Sequence, residues 1–278
     1  MKIKDSRTAT WRPLGFSVLV MPVLAFLLAM FLTNSSRAQT LDEIIAKNIQ
    51  AHGGMEKLKS VKTIRTTGKL NQGSFRAAFL QENKRPGMVR EEAIIQGLAQ
   101  IQAYDGKTGW QVSPFGGRKD AELLSQDDLK GLTIDADLDG PLVDYKEKGH
   151  QAELLGHDSV EGTDCFKIKL SLKNGDVRYY FLDADSFLEI KMENQSNIRG
   201  AVQFTENFYG DYEQVDGLFV PFAFENGEKG NPVRTKYTVE KVEVNVPLDD
   251  ALFAMPAAKS TTKSETAPTS QPRSPGMK

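Results

Sequence analysis

The chain has 278 residues, of which 40% are hydrophobic and 26% are charged, and its formal net charge is −2. This composition is that of a folded globular protein and excludes collagen-like, coiled-coil and wholly disordered chains. The single cysteine, Cys165, excludes an intrachain disulfide. Beyond residue 38 the chain holds 30 basic and 36 acidic residues, and a mildly acidic chain without a basic tract is a poor nucleic-acid binder. We therefore expect no nucleic-acid partner.

Residues 1–38 have the pattern of an export signal. A basic segment precedes an uncharged apolar run from Leu14 to Leu32, and Ser36-Arg37-Ala38 places small residues at a cleavage site. An uncleaved inner-membrane anchor is the alternative, because the run approaches the roughly 18–20 apolar residues that span a bilayer. Pro22 interrupts the run, and a helix start follows directly after residue 38, which favours cleavage. The sequence thus predicts a periplasmic protein exported by a cleavable signal peptide.

A helix is predicted to begin the mature chain. Thr40 and Glu43 have the spacing of a capping box, and Gly53-Gly54 is typical of a helix C-terminus. Between them, Leu41, Ile44, Ile45 and Ile49 recur at helical spacing. The helix is therefore amphipathic and must pack against an apolar surface. A second short helical turn, 55–59, is predicted to lead into strands.

Period-two alternation follows Val61. Turn signals at 71–73, 85–87, 96–97 and 105–106 divide residues 61–112 into about five antiparallel strands. Ser125 is predicted to begin a helix in a short helical insertion between residues 120 and 145. Alternation then returns, with Asn174-Gly175 supplying the two positive φ angles of a tight hairpin turn. Turns at 216–217 and 226–227 bring the total to about twelve strands.

These elements predict a mainly β domain with few helices (α+β), built on one large curved antiparallel sheet over residues 39–256. The N-terminal helix and the short helical insertion are expected to cover its concave face. Residues 257–278 are rich in Ser, Thr, Pro and Lys. Such a segment buries too little apolar surface to offset its ordering entropy, so we expect a disordered tail.

The sequence offers no constellation of residues for catalysis. There is no Gly-x-Ser-x-Gly elbow, Cys165 has no neighbouring base, and the three histidines lack the spacing of a zinc site. Residues 135–140 match the first half of an EF-hand loop, but Lys146 stands where the bidentate Glu is required. We therefore expect no enzyme, no metal site and no cofactor.

A family resemblance covers nearly the whole mature domain. It rests on six segments: Thr40–His52 with Gly53-Gly54, Val61–Ile64, Ala103–Trp110, Asp139–Tyr145, Asn174–Arg178 and Leu248–Pro256. In these the chain resembles the LolA-like outer-membrane lipoprotein-sorting superfamily. The resemblance implies an unclosed β-barrel covered by helices, with a hydrophobic cavity that holds the acyl chains of lipoproteins or other lipids in transit. Sensor and glycolipid-carrier members also belong to that superfamily.

The function predicted from these observations is a non-enzymatic periplasmic carrier that delivers acyl cargo towards the outer membrane. Its partners would be lipoprotein acyl chains or lipid, with an inner-membrane transporter or an outer-membrane acceptor. The alternative is an envelope sensor that recognises lipid or mislocalised lipoprotein. A curved sheet under helices can enclose a cavity, or the helices can fill it completely. Candidate residues for an acyl cavity are Phe75, Phe79, Trp110, Leu142, Tyr145, Phe166 and Tyr179.

Overall fold

The computed structural model describes residues 39–116 and 120–257. The elements are α1 (Leu41–Ala51), α2 (Met55–Ser60), β1 (Thr63–Gln72), β2 (Phe75–Lys84), β3 (Met88–Ile95), β4 (Leu98–Tyr104), β5 (Gly109–Val112), β6 (Glu122–Leu123), α3 (Gln126–Asp135), β7 (Gln151–Val160), β8 (Thr163–Ser171), β9 (Val177–Asp183), β10 (Glu189–Ile198), β11 (Ala201–Val215), β12 (Leu218–Glu228) and β13 (Thr235–Val244). The predicted signal peptide, 1–38, and the predicted tail beyond Ala257 lie outside the described residues. None of the helices in the described ranges is long and apolar enough to cross a membrane.

Local sequence signals determine both ends of α1. The Thr40 hydroxyl accepts a hydrogen bond from the Glu43 N–H, and the Glu43 carboxylate accepts one from the Thr40 N–H at 2.8 Å, which confirms the capping box. At the other end Gly53 has φ 118°. A Cβ on Gly53 would stand 2.4 Å from the carbonyl oxygen of Gly217 in the β11–β12 turn. A glycine is therefore needed where the helix ends against the sheet.

The strands form a single open antiparallel sheet, as predicted. Its strand order is β6-β5-β4-β3-β2-β1-β13-β12-β11-β10-β9-β8-β7. Helix α3 contacts β3 and β4 on one arm and β10 on the other. These strands stand six steps apart, about 29 Å in a flat sheet, whereas a ten-residue helix is only about 15 Å long. The sheet must therefore curve around α3, which gives an unclosed half-barrel.

The face of the sheet that packs against the helices is called the inner face. Under α1 it carries the main core, formed by Ile44, Ile45, Leu142, Tyr145, Phe166, Ile168, Leu170, Leu172, Tyr180, Leu182 and Met192. A smaller core lies under α3, where Leu132 and Ala136 pack on Val89 of β3. Only Leu132 is buried within α3 itself. The two helices thus cover the two arms of the inner face, and its middle is left to other side chains.

The opposite, outer face is covered over β1 to β5 by the chain that follows β13. The Thr63 hydroxyl donates to the carbonyl oxygen of Val246, and the Lys84 ammonium donates to that of Leu248, each at 2.6 Å. Phe253, in the same segment, is fully buried. This covered face is packed but mixed in character, because it also holds the ion pair of Arg65 with the buried Glu82.

Two predicted turns differ from the structure. In the β8–β9 connection, which spans residues 172–176, Gly175 has φ 93° while Asn174 keeps a negative φ. The loop has three residues, 173–175, instead of two, because the Leu172 N–H donates to the Asp176 carbonyl and closes the hairpin there. Asn226 and Gly227 lie inside β12, where Gly227 lets β12 approach the Val233 carbonyl closely. The thirteenth strand among the described residues is the two-residue β6.

Candidate functional site

An apolar cavity of about 350 Å³ lies between α1 and the inner face of β9–β12. Helices α1 and α2 and the loop after α3 form its roof, and the strands form its floor. Its apolar lining includes Ile49, Leu58, Ile64, Leu142, Val143, Met192, Leu218, Val220 and Pro221. The helices therefore do not fill the concave face. A chamber of this size and lining can take part of an alkyl chain.

A buried polar cluster attaches α1 to the floor of the apolar cavity. His52 contacts two acceptors: its Nδ1 lies 2.9 Å from the Phe219 carbonyl oxygen and its Nε2 lies 2.6 Å from a Glu189 carboxylate oxygen. Asn48 donates to the other Glu189 oxygen at 3.0 Å. Tyr212 donates to the Glu189 carbonyl oxygen at 2.9 Å. Because both His52 nitrogens face acceptors, the ring is a doubly protonated imidazolium.

The electrostatics of this pair agree with its geometry. Burial alone would lower the pKa of His52, but the charge and hydrogen bond of Glu189 outweigh it and raise that pKa to about 9. Burial likewise raises the pKa of Glu189, and His52 reverses the effect, so that the pKa of Glu189 ends below its usual value. The pair is ionised at neutral pH and holds α1 in place over the cavity.

A second, polar cavity of about 390 Å³ lies beside the first, on the inner face of β1–β4 and β11–β13. Its amide and carboxyl lining groups are Gln81, Glu91, Glu92, Gln100, Gln102, Asp135, Asn207 and Asn226. Burial raises the pKa of Glu91 to about 7, and the charge of Asp135 adds to the shift. Asp135 keeps accessible surface because it faces the open cavity, yet the surrounding protein raises its pKa too.

Three aromatic rings form one wall of the polar cavity and are called the aromatic corner. Phe224 and Tyr237 stack with ring centroids 4.3 Å apart and an interplanar angle of 9°. Phe79 stands nearly perpendicular to them, 5.6 Å from Tyr237 at 74°. Its ring lies over Gly68, where a Cβ would come within 2.6 Å of it. The rings thus meet at a fixed right angle beside the acids.

Five of the seven predicted acyl-cavity residues lie on the inner side of the sheet. Leu142 lines the apolar cavity, and Phe79 belongs to the aromatic corner. Tyr145 and Phe166 are buried in the core under α1. Phe75 lies at the end of β2, 39% exposed. Leu142 and Phe79 are therefore cavity residues, Tyr145 and Phe166 are packing residues of the adjoining core, and Phe75 stands apart from both cavities.

The other two, Trp110 and Tyr179, point to the outer face. Through Ala93 of β3, Phe79 is in register with Gln100 of β4. Trp110 pairs instead with Ala103 of β4, three residues after Gln100. Since side chains alternate along a strand, Trp110 and Phe79 lie on opposite faces. The Trp110 indole N–H donates to the Phe253 carbonyl oxygen at 2.7 Å, beneath the chain that follows β13. Trp110 was predicted to line the same acyl cavity as Phe79, but the strand register places it on the opposite face of the sheet.

Tyr179 is placed outward by the phase of β9. Its neighbour Tyr180 pairs with Ile168 and Met192 in the core. Tyr179 and Phe181 consequently face outward, where the Lys167 and Lys191 ammonium groups lie 4.8 and 5.4 Å from the centroid of the Phe181 ring. The outer side of β9 thus bears aromatic rings that contact lysine ammonium groups. In the sequence these rings look like core residues, which is why Tyr179 was predicted to line the cavity.

The acidic side chains Asp137 and Asp139 of the loop after α3 form ion pairs with basic side chains. Asp137 pairs with Lys148, and Asp139 pairs with Lys59 at 2.7 Å and with Arg85. Across the described ranges, no group of three or more His, Cys, Asp or Glu could hold a metal ion. These ion pairs hold the loop, as part of the roof of the apolar cavity, against α2 and against Arg85, the residue that follows β2.

Sequence reasoning overlooked the charged groups on the inner face. Glu91 has the inward phase of Val89 and Ala93, and Arg178 has that of Tyr180. The Arg178 guanidinium lines the apolar cavity, and its Nε has no hydrogen-bond partner. A charged residue in the apolar phase of a strand was the signal that could have identified both.

Comparisons with known proteins agree with this architecture. No protein-family model matches the sequence, and no curated protein matches it either. A LolA superfamily protein from Nitrosomonas europaea superposes with a TM-score of 0.54 at 12% identity, over 78% of this chain and 98% of that one. A DUF1329 family protein from Desulfovibrio piger gives 0.54 at 12% identity, over 77% and 97%. The chain has the LolA-like fold.

Proposed function

We propose that this protein is an exported, non-enzymatic carrier that binds the acyl chain of a lipid or lipoprotein in the apolar cavity. The observation that supports the proposal is that cavity: an apolar chamber of about 350 Å³ remains open between α1 and the sheet. Each methylene buried there contributes about 0.8 kcal/mol. Selectivity for the chain itself is therefore loose, and affinity grows with chain length.

The route of the cargo follows from export. With residues 1–38 removed, the protein diffuses in the periplasm, receives its cargo from an inner-membrane transporter and passes it to an outer-membrane acceptor. An envelope sensor would use the same cavity but remain anchored. N-terminal sequencing of fractionated cells separates the two: a soluble protein that begins at Gln39 fits the carrier, and full-length protein in the inner membrane fits the sensor.

A fluorescent fatty acid tests the cavity directly. cis-Parinaric acid should bind saturably to the purified protein, and Ile49→Trp should weaken that binding because the indole fills the chamber under α1. Leu155→Trp is the matched control, since Leu155 is exposed on β7 and lines neither cavity. Mass spectrometry of lipids that co-purify from the native envelope identifies the cargo. No saturable binding, or equal binding by Ile49→Trp, would refute the proposal.

A further inference from the structure

The lining of the polar cavity is negatively charged and contains no Lys, Arg or His. Of its three acids, Glu92 pairs with Arg90 at 2.6 Å. The Asp135 carbonyl accepts a hydrogen bond from Asn83 at 2.6 Å, but the carboxylates of Glu91 and Asp135 have no hydrogen bond or ion pair with a residue in the described part of the chain. Asp135 keeps accessible surface, whereas the Glu91 carboxylate is partly withdrawn from water, and such a group without a partner is costly. The cavity therefore has two acceptors for a positive charge, and none of its own lining residues supplies one; the charge of Arg178, which lines the adjoining apolar cavity, acts on Asp135 alone of the two.

The aromatic corner adds a second feature of cation recognition. Aromatic faces attract cations that lie within about 6 Å of the ring centroid, and quaternary ammonium ligands are recognised by such rings. Phe79 and the stacked Phe224–Tyr237 pair enclose a right angle in this cavity. The negative face of an aromatic ring and a carboxylate favour the same ligand charge.

The two cavities adjoin each other. Asn207 lines the polar cavity and Tyr209 lines the apolar one. Both side chains point from the same face of β11, about 7 Å apart. The Arg178 charge, which lines the apolar cavity, also acts on Asp135. One molecule with a polar head and an alkyl chain can therefore occupy both cavities.

We propose that the polar cavity binds the cationic group of an amphiphile, an alkylammonium, between the Glu91 carboxylate and the aromatic corner. Asp135 faces the same group from the end of α3. The alkyl chain enters the apolar cavity, so this inference rests on the proposed function and specifies the class of head group that accompanies the chain.

Three ten-carbon amphiphiles test the proposal: decyltrimethylammonium, decanol and decanoate, each below its micelle concentration. Isothermal titration calorimetry is carried out at pH 8.5, where Glu91 is ionised. The groups that face Glu91 are Asp135 and Tyr237. We expect decyltrimethylammonium to bind about tenfold more tightly than decanol. The contact of a desolvated cation with an aromatic face is strong enough to account for a tenfold difference in Kd. Decanoate should bind more weakly than decanol.

Variants locate the effect. Glu91→Gln should weaken decyltrimethylammonium about tenfold and leave decanol unchanged, whereas Glu153→Gln, at an exposed acid of β7, should change neither. Phe224→Leu, which keeps the wall apolar, should lower the affinity ratio of decyltrimethylammonium to decanol about threefold. This variant tests the site independently if Glu91→Gln does not fold.

The remaining outcomes of the titrations separate a failure of the cation site from a failure of the carrier proposal. Equal binding of all three amphiphiles would overturn the cation site and leave the carrier proposal intact. Preference for decanoate would overturn it too and assign the head group to Arg178. If no amphiphile binds, or if Ile49→Trp leaves decanol binding unchanged, the carrier proposal itself fails.

Discussion

The ion pair between His52 and Glu189 is expected to make the stability of the domain depend on pH. The pKa of His52 is about 9 in the folded protein and near 6.5 when unfolded. A raised histidine pKa contributes stability that is complete below pH 6.5 and is lost as the pH rises through 9. The difference corresponds to about 3 kcal/mol. Since α1 roofs the apolar cavity, this pair also attaches the roof to the floor.

Urea unfolding between pH 6 and pH 9.5 measures the effect. The wild type should lose about 3 kcal/mol relative to His52→Gln across this range, and the comparison cancels groups such as Glu91 that titrate in both proteins. Glu189→Gln completes a double-mutant cycle, in which the single changes should not add, because each leaves the other partner unpaired. His157→Gln, at an exposed histidine of β7, is the control. A wild-type advantage that stays constant with pH would refute the assigned charge state.

Three further predictions concern the cavities and the outer face. Glu91→Gln should stabilise the protein by about 2 kcal/mol at pH 8.5 and by little at pH 4.5, because the raised pKa of Glu91 makes wild-type stability fall as the pH rises from 4.5 to 7. Urea unfolding at both pH values measures this effect, and an equal effect at the two pH values would contradict the prediction. Gly68→Ala should cost about 2 kcal/mol in the same assay, since its Cβ would stand 2.2 Å from the Thr238 carbonyl oxygen and 2.6 Å from the Phe79 ring, whereas Gly210→Ala, which meets open space, should be nearly neutral. The emission of Trp110, the single tryptophan beyond the predicted cleavage site, should stay constant while decyltrimethylammonium fills the cavities, and saturable quenching would show that ligand reaches the outer face.

Local signals predicted most of the architecture. The capping box at Thr40, the helix start at Ser125 and the turn at Asp216 each depend on a few neighbouring residues, and each lies where it was expected. The curved open sheet also followed from period-two alternation. These features were predictable because hydrogen bonds within one turn or one hairpin determine them.

The faces of two strands were harder to predict. β5 has four residues, and its outer side is apolar because a segment more than 130 residues later covers Trp110. β9 has aromatic side chains on both sides, and Arg178 occupies its inward phase. Alternation identifies a face only when one side of the sheet is polar. In β5 the covered side is the outer one, and in β9 both sides carry aromatic rings, so residue type alone could not assign Trp110 or Tyr179.

The middle of the inner face distinguishes this molecule from a purely apolar container. The apolar stripe of α1 ends over β7–β10, and α3 buries only Leu132 on the other arm. Between the helices, amide side chains and the Glu91 and Asp135 carboxyl groups line the sheet. A cargo that placed only methylenes there would leave these groups without partners, which is costly. The ligand that matches the whole concave face is therefore amphiphilic, with its chain under α1 and its polar head beside α3.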